Sequence, residues 1–174
     1  MANEPATPKT PSTNIRIERT YPTSAEEVWR LWTTGDGIES WWAPDGFKVE
    51  VRKLELRPGG ELVYAMTATG PEQVEFMKGA GMPLTTEAHK TFTEVLPAKR
   101  IAYRSLIDFV PGVDPYQELT VVDLTPSGDS ARVVMTMEPL HDEVWTERLV
   151  RGRENELDNL GRVIERRHAG VKKP

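Results

Sequence analysis

Apolar residues recur at every second position in several separate runs of this chain, the spacing of half-buried strands, and at helical spacing in others. Ile15 and Ile17 alternate with Arg16 and Glu18, which predicts a strand over Ile15–Thr20 that Pro22 breaks. Ser24 stands three residues before Glu27, a capping box, and Val28, Leu31 and Trp32 share one face of the helix it opens. Gly35-Asp36-Gly37 is expected to end that helix, with one short further turn over Ile38–Trp42 before Pro44. From Phe47 to Leu56 the alternation resumes but its parity switches between Val51 and Leu54. That places a bulge or bend near Arg52-Lys53. Pro58-Gly59-Gly60 turns the chain into a return strand, Glu61–Thr69. Further strands are expected over Thr91–Leu96, Arg100–Phe109, Gln117–Leu124 and Ala131–Glu138. The last is the cleanest, with Ala131, Val133, Met135 and Met137 on one face.

Between the return strand and Thr91 lies an excursion too long for a hairpin loop. Pro71–Lys78 fits a short helix with Val74 and Met77 on one side, stopped by Gly79, Gly81 and Pro83. This segment, with Phe76, Met77 and Met82, is either a lid over a pocket or an excursion packed on the sheet.

The chain closes with one long amphipathic helix, expected over Asp142–Arg167. At ~100° per residue, Trp145, Leu149, Leu160 and Val163 fall on one stripe, with Leu157 and Ile164 at its edge. Gly152, Arg153 and Glu156 interrupt that stripe, and the pair spaced by three can meet on the helix surface. Several strands and a single long helix to cover them make an architecture able to enclose a pocket. Arg153 and Glu156 then either fix the polar end of a ligand or anchor the helix to the sheet. Of Trp41 and Trp42, at least one belongs in the core; the other is a candidate for the pocket mouth. Phe47, Tyr64, Met66, Tyr103 and Tyr116 are further positions able to reach a cavity, although parity leaves the inward face open.

The 174 residues suit one domain over 14–168, flanked by tails over 1–13, rich in Pro and Thr, and 169–174. A net charge of -5 with both signs interspersed argues against a nucleic-acid surface. The absence of cysteine excludes disulfides and thiolate chemistry. With neither a leader pattern nor an apolar run near ~20 residues, no membrane insertion is expected, and the location is read as cytoplasmic. His89, His141 and His168 lack the spacing of a helical zinc site. Asp142 and Glu143 serve the helix start better than a metal, so neither a metal nor a cofactor is expected.

Arg19 to Trp32 (RTYPTSAEEVWRLW), Trp41-Trp42-Ala43-Pro44, Arg57-Pro58-Gly59-Gly60 and Thr93-Glu94-Val95-Leu96-Pro97, followed by Arg100-Ile101-Ala102-Tyr103, carry a resemblance. In this order the chain resembles the START-like helix-grip (SRPBCC) superfamily. It is most similar to proteins related to the C-terminal domain of the activator of the ninety-kilodalton heat-shock chaperone's ATPase. The resemblance spans Ile15 to about Arg167 and implies an α+β helix-grip fold. In that fold a curved antiparallel sheet of about six or seven strands grips the terminal helix, which forms one wall of a cavity.

The role implied is binding of a small hydrophobic or amphipathic ligand. Trp41, Trp42, Tyr64, Met77, Tyr103, Trp145, Leu149, Gly152, Arg153 and Glu156 are the candidate ligand-binding residues. A homodimer is compatible with such a domain. A second reading is a cyclase- or hydratase-type enzyme in the same cavity, with Glu156 as acid–base group, Arg153 as clamp and Tyr103 or His141 as helper. A third is a chaperone-directed interaction module. The activators that name the group carry a separate N-terminal domain contributing to chaperone docking, whereas this chain shows the helix-grip part. Polar groups limited to Arg153 and Glu156 would favour binding, and three or more convergent titratable groups the enzyme. A filled interior with an exposed apolar patch would favour the module.

Overall fold

The computed structural model describes residues 14–171, with side chains described to residue 167. The expected tail over 1–13 and residues 172–174 lie outside the described residues. The strands are β1 (Ile15–Tyr21), β2 (Phe47–Leu54), β3 (Glu61–Ala68), β4 (Thr85–Leu96), β5 (Arg100–Ile107), β6 (Tyr116–Ser127) and β7 (Ser130–Met137). The helices are α1 (Ala25–Thr33), α2 (Gly35–Trp41), α3 (Pro71–Gly79) and α4 (Glu143–Val171). The strands form one antiparallel sheet in the order β1-β7-β6-β5-β4-β3-β2. Curved around α4, this is an α+β helix-grip fold.

Local chemistry accounts for most element boundaries. The Ser24 hydroxyl accepts from the Glu27 amide at 3.1 Å to open α1. Gly35-Asp36-Gly37 does not simply stop that helix, as the sequence suggests; it begins α2. Thr34 is the reason, because its hydroxyl accepts from the Gly37 amide at 3.1 Å and restarts the helix in a new direction. The tightness of the corner needs glycine. A Cβ at Gly37 would stand 2.7 Å from the Arg30 carbonyl oxygen and the Leu31 Cα. At the start of α4 the Asp142 carboxylate accepts from the Trp145 amide at 2.8 Å, the capping role expected of it.

The sheet follows the expected alternation with two differences. The register of β2 against β3 shifts between Val51 and Lys53, where the sequence parity switches. By contrast, β4 starts at Thr85, six residues before the expected Thr91. Its polar first half, Thr85–Lys90, has no apolar alternation to announce it. It is a strand because it pairs residue by residue with β3, from Thr67 opposite Thr85 to Leu62 opposite Lys90. The excursion before it contains α3 over Pro71–Gly79, one residue beyond the expected helix, with Met77 buried and Phe76 exposed.

The core fills the space between the concave face and α4. Ile17 and Tyr21 of β1, Val133, Met135 and Met137 of β7 and Val122 and Leu124 of β6 meet Leu157, Leu160, Val163 and Ile164 of α4. Trp32, Trp41 and Trp42 cluster beside them with ring centroids 4.7–6.0 Å apart, which puts both tandem tryptophans in the core. The Tyr21 hydroxyl donates to the Leu157 carbonyl at 2.6 Å in the interior and ties α4 to the edge strand. Asn159 donates to the Ala43 carbonyl at 3.0 Å and Asn155 accepts from the Asp45 amide at 3.1 Å, pinning the connection from α2 to β2 on the same helix.

Tyr21→Phe should cost about 0.5–1.5 kcal/mol of stability, the usual net worth of one buried hydrogen bond. Urea unfolding of the two proteins would measure it, and an unchanged midpoint would show that this bond does not secure α4.

Candidate functional site

The inner face of the sheet changes character along α4. Beneath Leu157–Ile164 it is apolar, but beneath Gly152–Glu156 it presents a row of polar side chains. Lys90 of β4 stands opposite Ser105 of β5, and Ser105 stands opposite Glu118 of β6. All three are buried, at 4%, 5% and 1% exposure. The Lys90 ammonium donates to the Ser105 hydroxyl at 2.7 Å, and the Thr120 hydroxyl lies 3.0 Å from both Glu118 carboxylate oxygens. The rings of Tyr103, Trp42 and Tyr64 surround Lys90, their centroids 5.1, 5.8 and 5.9 Å from Nζ. From the opposite wall Arg153 donates through Nη1 to both Glu156 oxygens, at 2.9 and 2.7 Å, and Glu156 is buried. Two cations and two carboxylates thus share one interior, an arrangement that burial tolerates only with partners in place.

A pocket of about 260 Å³ opens beside this cluster, between α4 and the β4–β5 end of the sheet. Lys90, Ser105, Tyr64 and Arg153 form its polar part; Ile107, Leu140, Trp145, Leu149 and Ala88 contribute apolar surface. Phe109, half-exposed on the connection after β5, packs against Trp145 with centroids 5.8 Å apart. A Cβ built on Gly152 meets nothing within 4 Å, so this glycine leaves open space in the pocket wall. Among the described residues the Nε of Arg153 and the Nε1 of Trp32 are both buried without a hydrogen-bond partner.

Two other clefts have less to offer a ligand. One of about 370 Å³ lies against α2, the start of β2 and the end of α4. Part of its polar lining is already paired, as Asp45 with Arg162 at 3.7 Å and Arg162 with Asn159 at 2.6 Å. The other, lined by Ile15, Pro139, Leu140, Asp142 and Glu143, flanks the start of α4 and contains no buried polar group. Among the described residues no group of three or more His, Asp or Glu is placed to hold a metal ion.

Of the residues singled out in the sequence, Tyr64, Trp145, Leu149, Gly152 and Arg153 line the pocket between α4 and the sheet. Trp42 and Tyr103 lie behind it, packed around Lys90, and Glu156 stands behind Arg153 as its partner. Trp41 faces the 370 Å³ cleft instead, as does Phe47. Met77 is buried in α3, which is absent from the pocket lining. Tyr116 bonds His141 Nδ1 at 2.8 Å near the start of α4. Lys90, Ser105 and Glu118 were not among the sequence candidates. The one signal available was Lys90, whose neighbours two positions away on either side, Ala88 and Phe92, are apolar; Glu118, between Tyr116 and Thr120 on its face, had none.

Burial, then the field of Arg153, pushes the Lys90 ammonium from 10.5 down to about 7, against the pull of Glu156 and Glu118. Burial likewise raises the Glu118 carboxyl, opposed by Arg153, Lys90 and the Thr120 hydroxyl. Burial pushes the Tyr64 phenol up to about 12. Arg153 resists its own desolvation because Glu156 lies beside it, and its guanidinium stays charged.

The family model described as Activator of Hsp90 ATPase homolog 1-like protein matches residues 22–165. No curated protein matches the sequence. A protein of Chromobacterium violaceum, 23% identical, covers 87% of this chain and 96% of its own at a TM-score of 0.71. One from Mycobacterium smegmatis is 15% identical over 93% and 97% of the two chains, with a TM-score of 0.71. The AHSA1 protein of Silicibacter pomeroyi is 18% identical over 90% and 100%, with a TM-score of 0.70. At these identities the likeness establishes the fold. Among the described residues no helix is long and apolar enough to cross a membrane.

The Lys90 environment has a thermodynamic signature. Between about 7 and 10.5 the unfolded chain holds a proton on this side chain that the folded chain lacks, so raising the pH favours folding. The stability of the wild type relative to Lys90→Met should therefore climb from about pH 7 to about pH 9, by up to about 1.4 kcal/mol per pH unit. Below about pH 7 the difference should flatten. Denaturant unfolding of both proteins across this range checks it; a difference constant with pH would mean an ordinary lysine.

Proposed function

This chain belongs to the Activator of Hsp90 ATPase homolog 1-like family, and from that footing we propose that it binds a small amphipathic molecule between α4 and the β4–β5 end of its sheet. The polar end that Lys90, Ser105, Tyr64 and Arg153 give an otherwise apolar pocket is the observation that carries this reading. These side chains suit a ligand carbonyl, carboxylate or hydroxyl. Trp145, Leu149 and Ile107 receive the apolar body, while Arg153 and Lys90 receive the acceptor end. The volume of about 260 Å³ lies just below the usual pocket range, roughly 300–1,000 Å³. The molecule is therefore small.

The convergence of Lys90, Tyr64, Glu118, Arg153 and Glu156 supports a second reading, an enzyme using the same cavity. Three or more titratable groups meet there, the condition set from the sequence for catalysis, and the polar lining is not limited to Arg153 and Glu156 as the condition for simple binding required. The interaction-module reading has less behind it. It called for a filled interior with an exposed apolar patch, whereas a pocket is present; Phe76 and Met82 are exposed together on the excursion around α3, and Leu56, Leu96, Phe109 and Val144 are exposed elsewhere.

Native mass spectrometry of gently purified protein tests the binding reading, with any retained molecule extracted and identified. A reproducible bound mass of a few hundred daltons, on the order usual for pocket ligands, is the expected result. Gly152→Leu should abolish retention by filling the open space at that position. The same site bears on stability: Gly152→Ala should add up to about 1 kcal/mol, since glycine is the poorer helix former. Arg153→Leu alone should cost about 3–5 kcal/mol by stranding Glu156. Arg153→Met with Glu156→Met should recover most of that stability and still lose the ligand. Undiminished retention in the double variant would remove Arg153 from the site.

A further inference from the structure

Lys90 and Glu118 are the two members of the buried cluster without a counter-charge in contact. Arg153 holds Glu156, whereas among the described residues Thr120 bonds Glu118, neither Glu118 nor Lys90 forms an ion pair, and of these two Lys90 lines the pocket. Among the described residues the hydrogen-bond partner of its ammonium is the Ser105 hydroxyl, a group that accepts from an ammonium and equally donates to a neutral amine. An ammonium used only for structure would be expected to sit against a carboxylate. This one lines the cavity, with aromatic rings on its other sides.

From this placement we infer that Lys90 is a carbonyl-capturing amine, whose Nζ forms an imine with an aldehyde or ketone group of the molecule bound in the pocket. The inference rests on the binding reading above and names the chemical class that the pocket takes. The charged and titratable groups around Nζ are Arg153 and Glu156 from α4, Glu118 from β6, Tyr64 from β3 and Tyr103 from β5. Burial and Arg153 prevail over the two carboxylates, so about half of the Lys90 side chains carry a free lone pair near neutral pH. An ordinary lysine, with a pKa of about 10.4, offers on the order of a thousandfold less free amine there.

The steps balance without any oxidant or reductant. The Nζ lone pair attacks the carbonyl carbon, the C=O π pair moves to oxygen, and a proton from Nζ passes to that oxygen to give a carbinolamine. Loss of the hydroxyl with the second Nζ proton, as water, leaves the C=N bond. Arg153 lines the pocket from the opposite wall, and its guanidinium charge polarises a carbonyl oxygen bound there for attack. Ser105 holds Nζ, and it stands in the cross-strand row between Lys90 and Glu118. The burial that makes Lys90 a poor cation is what makes it a nucleophile.

The test incubates the full chain near pH 7 with 4-isopropylbenzaldehyde, with and without sodium cyanoborohydride, which reduces an imine to a stable secondary amine. Intact-mass measurement and peptide mapping follow. The expected result is a single reduction-dependent adduct on Lys90, at least about tenfold above that on any other lysine. It should be lost in Lys90→Met and weakened in Gly152→Leu, with the slow background labelling of exposed lysines unchanged in both. The matched alcohol, 4-isopropylbenzyl alcohol, reports occupancy without chemistry through a shift in melting temperature. If the alcohol shifts the transition but Lys90 gains no adduct, the imine is wrong and the binding reading stands. If neither occurs, this inference falls and the binding reading fails for this class of ligand. Adducts spread evenly over the exposed lysines would also overturn it.

Discussion

The structure depends on how one helix covers one concave sheet face. Seven antiparallel strands curve around α4, and the inward-facing residues of β1, β6 and β7 have no other long element to bury them. The second half of the helix meets them with Leu157, Leu160, Val163 and Ile164, an apolar contact that sets the spacing between helix and sheet. Tyr21 and Asn159 then fix the position of the helix through hydrogen bonds to backbone carbonyls. With that spacing set, the first half cannot close on the sheet, because Gly152 contributes no side chain and the next inward position is Arg153. The pocket is the space left over.

Burial of charge is the second constraint, and it follows from the first. Drawing the helix onto the sheet takes Lys90, Glu118, Arg153 and Glu156 out of water together. The pair on α4 satisfies itself, since a separation of three residues aligns guanidinium and carboxylate on one helix face. The sheet residues have neutral partners, Ser105 and Thr120, and their proton affinities move toward the uncharged forms. One cluster therefore joins the cost of burying charge to a pocket lined by a lysine and an arginine. That coincidence is typical of a binding or catalytic site, where local stability is given up for chemistry.

The sequence was legible wherever local physics decides. The Ser24 cap, the Asp142 cap, the bulge between Val51 and Lys53 and the buried face of β7 depend on neighbours close along the chain, or on a clean alternation. It misled where tertiary pairing overrides pattern. Thr85–Lys90 forms a strand because β3 supplies hydrogen bonds along its whole length, which the polar composition of that segment does not disclose. In β6, Leu119 and Val121 compete with Val122 and Leu124 for the inward face, so parity alone could not show that Glu118 and Thr120 share the buried side. Gly37 read as a helix stop because glycine usually is one. The Thr34 hydroxyl turned it into a start.

By itself, then, the sequence determined the type of most elements, the hairpin of β2 and β3, the long terminal helix and the break of its apolar stripe at Gly152, Arg153 and Glu156. These follow from propensity, capping and periodicity, which act within a few residues. Only the tertiary structure decided that Lys90 and Ser105 face that break from across the cavity, and that Trp41 and Met77 do not. Which face of a strand turns inward, and what meets it there, depends on partners some 15 to 60 residues away in sequence. A single chain read in order holds no record of that distance being closed.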